Sequence, residues 1–393
     1  MSLSITQLPA SASLAQSPMA FTIAESTAVV YSSSFQYVLN LNYWTGSLAN
    51  SGSGGLYNLV KYPNQSHVGI FDVSKIINST LTDLRQTNPS NVSFYKADVY
   101  WQWASQSIDT GAITYVSGSH INSGVYKALD GYALFQEQIN DPIYGKSPYW
   151  PLMTDGPSTQ SFFADNFGTI GCYTQAVGAA LTPTAIKYTS DLGSAVINLS
   201  GSTDSYGQIQ QVPAYPTSTD FPFASNVQWY TIQAYNSVTP LGQPLRYEYA
   251  CIQKYPNVRI KWKNRYGQFD YFNFYMVNKK TFKTTKRTYQ PQIGSWDGSG
   301  LAYNKYDSQN LNYLVDSNQQ MLVNTFWIPE EYNDILKQLM VSDEIYYVTT
   351  ESGDIVSPIT IDTNSVQFKT GVVDKLIQYS FTFNYGQGYK LII

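Results

Sequence analysis

The residues best placed to do chemistry are carboxylates beside aromatic rings. Asp98 lies in the run Val92–Trp103 (VSFYKADVYWQW), next to Trp101 and Trp103, and Asp155 follows Tyr149-Trp150. Glycosidases work with two acids flanking a sugar linkage, and such acids can be far apart in sequence. Each aspartate also has a plainer reading: Asp98 faces solvent or pairs with Lys96, and Asp155 makes the turn before Gly156-Pro157. The plainer reading is the better supported. His67 and His120 are the two histidines, and neither has a partner at ligand spacing. There is no HExxH, no glycine-rich phosphate loop, no nucleophile elbow and no CxxC. The expectation is no catalytic residue, no metal site and no cofactor. Cys172 and Cys251 are read as two buried free thiols, with a disulfide between them as the alternative.

Binding chemistry is better represented than catalysis. Trp44, Trp101 and Trp103, with Tyr43 and Tyr149-Trp150, could stack on a glycan or against another subunit; core packing is the competing explanation. One segment is strongly basic. Between Lys254 and Arg287 stand Lys254, Arg259, Lys261, Lys263, Arg265, Lys279, Lys280, Lys283, Lys286 and Arg287, against the single acid Asp270. Interleaved Tyr255, Trp262, Tyr266, Phe269, Tyr271, Phe272 and Phe274 give it the look of a nucleic-acid surface. Arg259, Lys261, Lys263 and Arg265 would then form a basic contact strand. The alternative is an ordinary strand with a solvated basic face and a buried apolar one, including a contact with an acidic neighbouring subunit.

Composition favours the structural alternatives. The 393 residues are 43% hydrophobic and 15% aromatic, with 34 Tyr, but only 13% charged, about half the ~25% usual in soluble domains. Tyrosine presents an apolar ring and a polar tip, which suits surfaces that a partner covers. A net charge of −4 speaks against nucleic acid as a partner. No apolar run approaches the ~20 residues needed to span a bilayer, so no membrane insertion is expected. The first residues lack a basic segment followed by an apolar core, so no signal peptide is expected either. The four sequons (Asn64, Asn78, Asn91, Asn198) mean little in a chain so rich in Asn and Ser.

The elements that must position these groups are mostly strands. Period-two patterns mark 20–23, 35–44, 56–62, 92–103, 227–236, 243–251, 259–262, 271–277, 344–349, 355–361 and 375–384, with shorter candidates at 129–136, 170–177, 185–188 and 195–199. Gly46 to Gly55 reads as a hairpin loop. Two helices are expected: one capped by Asp72, with Val73, Ile76, Ile77, Leu81 and Leu84 at helical spacing, and one starting at Pro329-Glu330-Glu331, with Tyr332, Ile335, Leu336, Leu339 and Met340 as its stripe. The fold class is mainly β, with two β-sandwich domains (jelly-roll or Ig-like) and a few short helices. The expected boundaries are an N-terminal arm at 1–17, a β domain at 18–200, a Ser/Thr/Gly/Pro-rich linker at 201–226 and a second β domain at 227–393.

The run KYPNVRIKWKNRYGQFDYFNF with KTTKRTY after it resembles a pattern in minor structural and tail-associated virion proteins of bacteriophages and prophages of Bacteroidetes and marine bacteria. The resemblance rests on Asn264, Arg265, Gly267, Asp270, Phe272 and Phe274. The C-terminal block is similar to the same group through Trp327, Glu330-Glu331, Leu339 to Tyr347, Ser357 to Ile361, Lys369-Thr370 and QYSFTFNY. Ser17 to Phe21, Phe35 to Tyr37 and Phe71 to Ser74 fit it more loosely. The resemblance implies a virion location and a structural role in a tail, baseplate or neck, with other virion proteins and further copies of the chain as partners. It brings no catalytic residues. A carbohydrate-binding receptor-recognition protein contacting a host surface glycan, a capsid-associated spike or decoration protein, and a glycan-cleaving enzyme remain the alternatives.

Overall fold

A computed structural model describes residues 3–26, 30, 32–46, 54–82, 92–106, 110–133, 151–174, 181–199, 209–250, 255–348, 356–368, 377–386 and 389–392. The protein is mainly β, with two α-helices among these residues. The chain divides into two compact units. The first comprises Met1–Gln160, Ala164–Tyr249 and Lys263–Asp270; the second comprises Ser161–Phe163, Ala250–Trp262 and Tyr271–Ile393.

The first unit begins with two sheets around one core. A three-stranded sheet runs β1 (Ser4–Gln7), β3 (Ala20–Ala24), β6 (Val68–Asp72). Facing it is the path β2 (Ala12–Leu14), β10 (Tyr126–Leu129), β7 (Val92–Gln106), β4 (Gln36–Thr45), β5 (Gly55–Lys61), with β8 (Ile113–Ser117) and β9 (Ile121–Asn122) also pairing with β7. Alternation decides which side chains go inside. On β4, Tyr37, Leu39 and Leu41 point into the core, and on β7 so do Tyr95, Ala97 and Val99. Phe21, Ile23 and Phe71 come from the other sheet, and Phe21 meets Tyr95 edge-on at 6.3 Å. Each such ring contributes about 1.5–3 kcal/mol by leaving water. Helix α1 (Ser74–Thr82) adds Ile77 and Leu81 to the cluster. As its sequence implies, Asp72 caps α1: Oδ1 accepts the Ser74 N–H at 3.0 Å, and it also accepts the Met19 N–H at 3.1 Å.

The rest of this unit holds a five-stranded sheet in the order β11 (Thr159–Phe162), β17 (Thr239–Tyr249), β16 (Trp229–Asn236), β13 (Ala185–Ser190), β14 (Gly193–Asn198), and a two-stranded one of β12 (Thr169–Tyr173) and β15 (Ile209–Pro213). Buried tyrosines tie them together: Tyr188 and Tyr230 donate to the Pro213 and Ala214 carbonyls at 2.8 and 2.6 Å.

The second unit is organised on an eight-stranded sheet. Its order is β19 (Phe269–Phe274), β18 (Val258–Lys263), β24 (Ile345–Val348), β25 (Val356–Ile361), β26 (Ser380–Tyr385), β23 (Leu311–Asn324), β20 (Lys279–Tyr289), with β27 (Tyr389–Ile392) also on β23. Trp262, Phe274, Phe381 and Phe383 line one face. A 3-10 turn, Glu330–Tyr332, leads into α2 (Asn333–Val341), and Tyr332 of the turn with Ile335, Leu336 and Leu339 of the helix covers that face. The expected stripe is the one that packs. A small hairpin, β21 (Ser295–Trp296) with β22 (Leu301–Ala302), lies between β20 and β23.

Two expected boundaries are corrected. The N-terminal arm at 1–17 is part of the core: β1 pairs with β3, β2 pairs with β10, and Leu3, Ala12, Leu14 and Ala15 are buried. The linker expected at 201–226 is not a domain boundary. Its residues 209–213 form β15, Val212, Ala214 and Tyr215 are buried, and the strands on either side of it, β13 and β16, pair throughout. The few apolar residues there act as anchors without any period. Residues 201–208 lie outside the described part, as does most of the expected Gly46–Gly55 loop.

Candidate interaction site

Of the tryptophans expected as contact residues, Trp101 and Trp103 face the first core, while Trp44, on the other face of β4, is buried there. Trp44 is buried and stacks on Phe94 at 5.9 Å. Trp101 and Trp103 are half-buried against the first core, and Trp101 stacks on Phe35 at 5.8 Å. The position in β7 accounts for this, because Trp101 and Trp103 continue the inward row of Tyr95, Ala97 and Val99. None of the three presents a free ring to a sugar. Tyr149-Trp150 lies outside the described residues.

The opposite face of the same sheet carries a polar row. Across β5, β4, β7 and β9 the register aligns Asn58, Asn40, Asp98 and Asn122 in one row. Asn58 donates to Asn40 Oδ1 at 2.7 Å. His120 Nδ1 lies 2.8 Å from Asp98 Oδ2, and its ring stacks on Tyr100 at 4.3 Å. Asp98 thus pairs with histidine rather than with Lys96. Asp155 is held by Arg265 and Tyr266. Among the described residues no group of three or more His, Cys, Asp or Glu is arranged to hold a metal. Cys172 is a free thiol, and burial pushes it up to about 12, which suppresses thiolate chemistry. Cys251 lies outside the described residues.

The basic segment splits in two, and neither half is the ordinary solvated strand. In the first half, Arg259, Lys263 and Arg265 are buried. Arg259 donates to Asn273 Oδ1 at 2.9 Å and sits 4.8 Å over the Tyr271 ring. Lys261 is half-buried, 5.3 Å from the Tyr346 ring centre. Lys263 pairs with Asp130 at 2.9 Å, and Arg265 with Asp155. The Arg265 guanidinium also donates to the Tyr266 hydroxyl at 2.6 Å, which donates on to Asp155 Oδ1 at 2.9 Å. Burial pushes the Tyr266 phenol far above its ordinary range, and the Asp155 charge adds to this. The phenol therefore stays a neutral donor.

This network fastens a turn. Asn264 Oδ1 accepts the N–H groups of Tyr266 and Gln268 at 3.0 and 3.1 Å, while its amide donates to the Met153 carbonyl at 2.9 Å. Gly267 has φ +74°, and a Cβ there would stand 1.7 Å from the Asp130 carbonyl oxygen. Arg259, Lys263 and Arg265, expected as a contact strand, are thus internal ties and are unavailable to a partner.

The second half is all outside. Every residue of β20 is exposed, including Lys279, Lys280, Lys283, Lys286 and Arg287. Thr and cations make up most of this strand, and no row of apolar side chains exists to draw it into a core. β20 pairs with β23 along its whole length, from Lys279↔Leu322 to Tyr289↔Leu311. At ~3.3 Å per residue its 11 residues extend about 36 Å. Beyond them the β21–β22 hairpin carries Trp296, 72% exposed, with Tyr303 and Tyr306 close by in sequence, Tyr306 being 94% exposed. The tip is nonetheless ordered locally. Asp297 Oδ1 accepts from the N–H groups of Ser299 and Gly300 and from the Ser299 hydroxyl, each at 2.9 Å. Those bonds hold its carboxyl below its ordinary value.

Sequence reasoning placed Lys279 to Arg287 in the right charge cluster but missed the arm, its partner strand and its tip. The available signal was a run of Lys, Arg and Thr with Phe282 as the one large apolar residue between Lys279 and Thr288.

No family model and no curated protein matches the chain. Five of the residues that carry the virion-protein resemblance have a local task. Asn264 and Gly267 build the turn, Arg265 ties it down, and Phe272 and Phe274 enter the second core.

Proposed function

We propose that the chain is a non-catalytic structural subunit of a bacteriophage particle, in a tail, baseplate or neck, and that it works by contacts with copies of itself and with other virion proteins. The observation carrying this is the β20–β23 arm: β20 is an edge strand exposed on every residue, paired along its length with β23, which β26 and β27 back on its other side, and the segment joining the two exposes Trp296 and Tyr306. Large exposed aromatic surfaces mark interaction sites on folded proteins. The low charge content and abundance of Tyr support the same reading. Mass spectrometry of gradient-purified phage particles from cells expressing the chain is the test. Multiple copies per particle are expected; absence from particles that carry the phage's other structural proteins would refute the reading.

A second reading, a receptor-recognition protein that binds a host glycan, has one observation in its favour. The row Asn58, Asn40, Asp98, Asn122, flanked by Tyr100 and His120, offers amide and carboxylate groups beside a ring on an open sheet face. A glycan array with wild-type protein and Asp98→Ala distinguishes the two: binding lost in the variant favours this reading, and no binding by either removes it.

A further inference from the structure

The second unit carries two exposed surfaces of opposite charge, each with aromatic rings. The first is β20. Its five cations have no acid among them. Since the whole chain is −4, the remainder carries −9. A partner made of this same polypeptide would therefore be acidic. The second surface lies at the start of the helical segment. Phe326 and Trp327 are exposed there, Trp327 by 51%, although each is large and apolar. Glu330, Glu331 and Asp334 are exposed immediately after them. Lys337 offsets one of these charges, bonding Asp334 at 2.8 Å. These acids favour the positive end of the helix, but helix electrostatics gives no reason for the two rings beside them to face water.

Taking the proposed function as its basis, we infer that the arm of one copy docks on the Phe326–Asp334 surface of a second copy, with the cations of β20 meeting Glu330 and Glu331 and the arm's rings covering Phe326 and Trp327. The mode of contact follows from the arm's edge. β20 ends its sheet among the described strands, so its outer edge could in principle accept another strand. Lysines along an edge strand oppose such pairing, because addition of a second strand would bury them. Docking by side chains on a complementary surface keeps the ammonium groups at the rim, where they steer association and set register. Because arm and acidic surface are different parts of one chain, the contact is heterologous, and repeating it gives a ring or an open filament, or a reciprocal pair.

Charge reversal in the full-length chain tests this. One variant carries Lys283→Glu, Lys286→Glu and Arg287→Glu; the other carries Glu330→Lys and Glu331→Lys. All five positions are exposed, so circular dichroism and Tm should match wild type. In sedimentation velocity at moderate salt, each variant alone should self-associate about tenfold or more weakly than wild type. An equimolar mixture of the two should associate again, since each arm then meets a surface of opposite sign. Wild-type assembly unaffected by either reversal would overturn the docking surface while leaving the subunit reading intact. A monomeric wild-type chain would overturn the docking inference and the self-contacts of the proposed function, leaving its virion role to the particle measurement. Weakening without recovery in the mixture counts against the charge pairing. Capture of a labelled DNA duplex by wild type but not by the arm variant would assign the arm to a polyanion and overturn the inference.

Discussion

Arg265 shows why residue type alone misled at the basic segment. Its charge belongs to the same sequence cluster as Lys283, yet one is buried against Asp155 and Tyr266 and the other stands in water. Removing one member of a buried pair strands the other, at a cost of about 3–5 kcal/mol. Asp155 keeps partial access to solvent, its side chain being 19% exposed, so the lower end applies. Arg265→Ala should destabilise the protein by about 3 kcal/mol in urea denaturation, whereas Lys283→Ala should stay within about 0.5 kcal/mol. Equal effects would mean that the two halves have been wrongly separated. Cys172 gives a pH-dependent counterpart. Its folded value of about 12 stands above its ordinary 9.0, so the native state holds a proton that the unfolded chain releases. That contribution is fully present below pH 9 and is lost as pH rises towards 12. Buried Tyr95, Tyr188 and Tyr266, all raised by burial, act in the same direction. Stability should therefore fall between pH 9 and 12, and a thiol reagent should leave Cys172 unmodified at pH 8 until the protein unfolds. Reaction of folded protein within minutes would contradict its burial.

At the scale of elements, what could be read from sequence is what has a buried face. α1 and α2 declared themselves through apolar stripes and through Asp72 and Pro329, and β4, β7 and β26 through alternation. The arm could not be read this way, because alternation reports burial and β20 has no buried side. β15 escaped for a different reason: five residues in a Pro- and Ser-rich stretch are too short to show a period. The core cluster of the second unit includes no residue of 283–318, which leads to a direct test. Phe282 and Gln319 lie opposite each other, so replacing 283–318 by an Asn-Gly turn should close the shortened strands as an ordinary hairpin. β27 loses its pairing with Leu314–Ser317, yet Met321, Val323, Phe381 and Phe383 remain in place in the core. The shortened protein is expected to unfold cooperatively with Tm lowered by at most about 5 °C, as calorimetry would report. Loss of cooperative unfolding would show that the arm is needed to fold the second unit. Asp72→Ala, by contrast, takes a partner from both Ser74 and Met19 and should lower stability by about 1–2 kcal/mol.

Across the whole molecule, the basic segment divides its cations between two opposite purposes: inside, where Lys263 and Arg265 pin the 264–268 turn, and on β20, where they face solvent. Most of its many tyrosines with raised values are in cores, so ring content by itself is an insufficient argument for assembly. The exposed rings of the arm and of Phe326-Trp327 make that argument instead. Sedimentation velocity of the full-length chain over a range of concentration and salt decides it. Species well above 44.1 kDa should form as concentration rises and should dissociate as salt screens the exposed charges. A single 44.1 kDa boundary at every concentration and in low and high salt alike would contradict a subunit that acts by self-assembly.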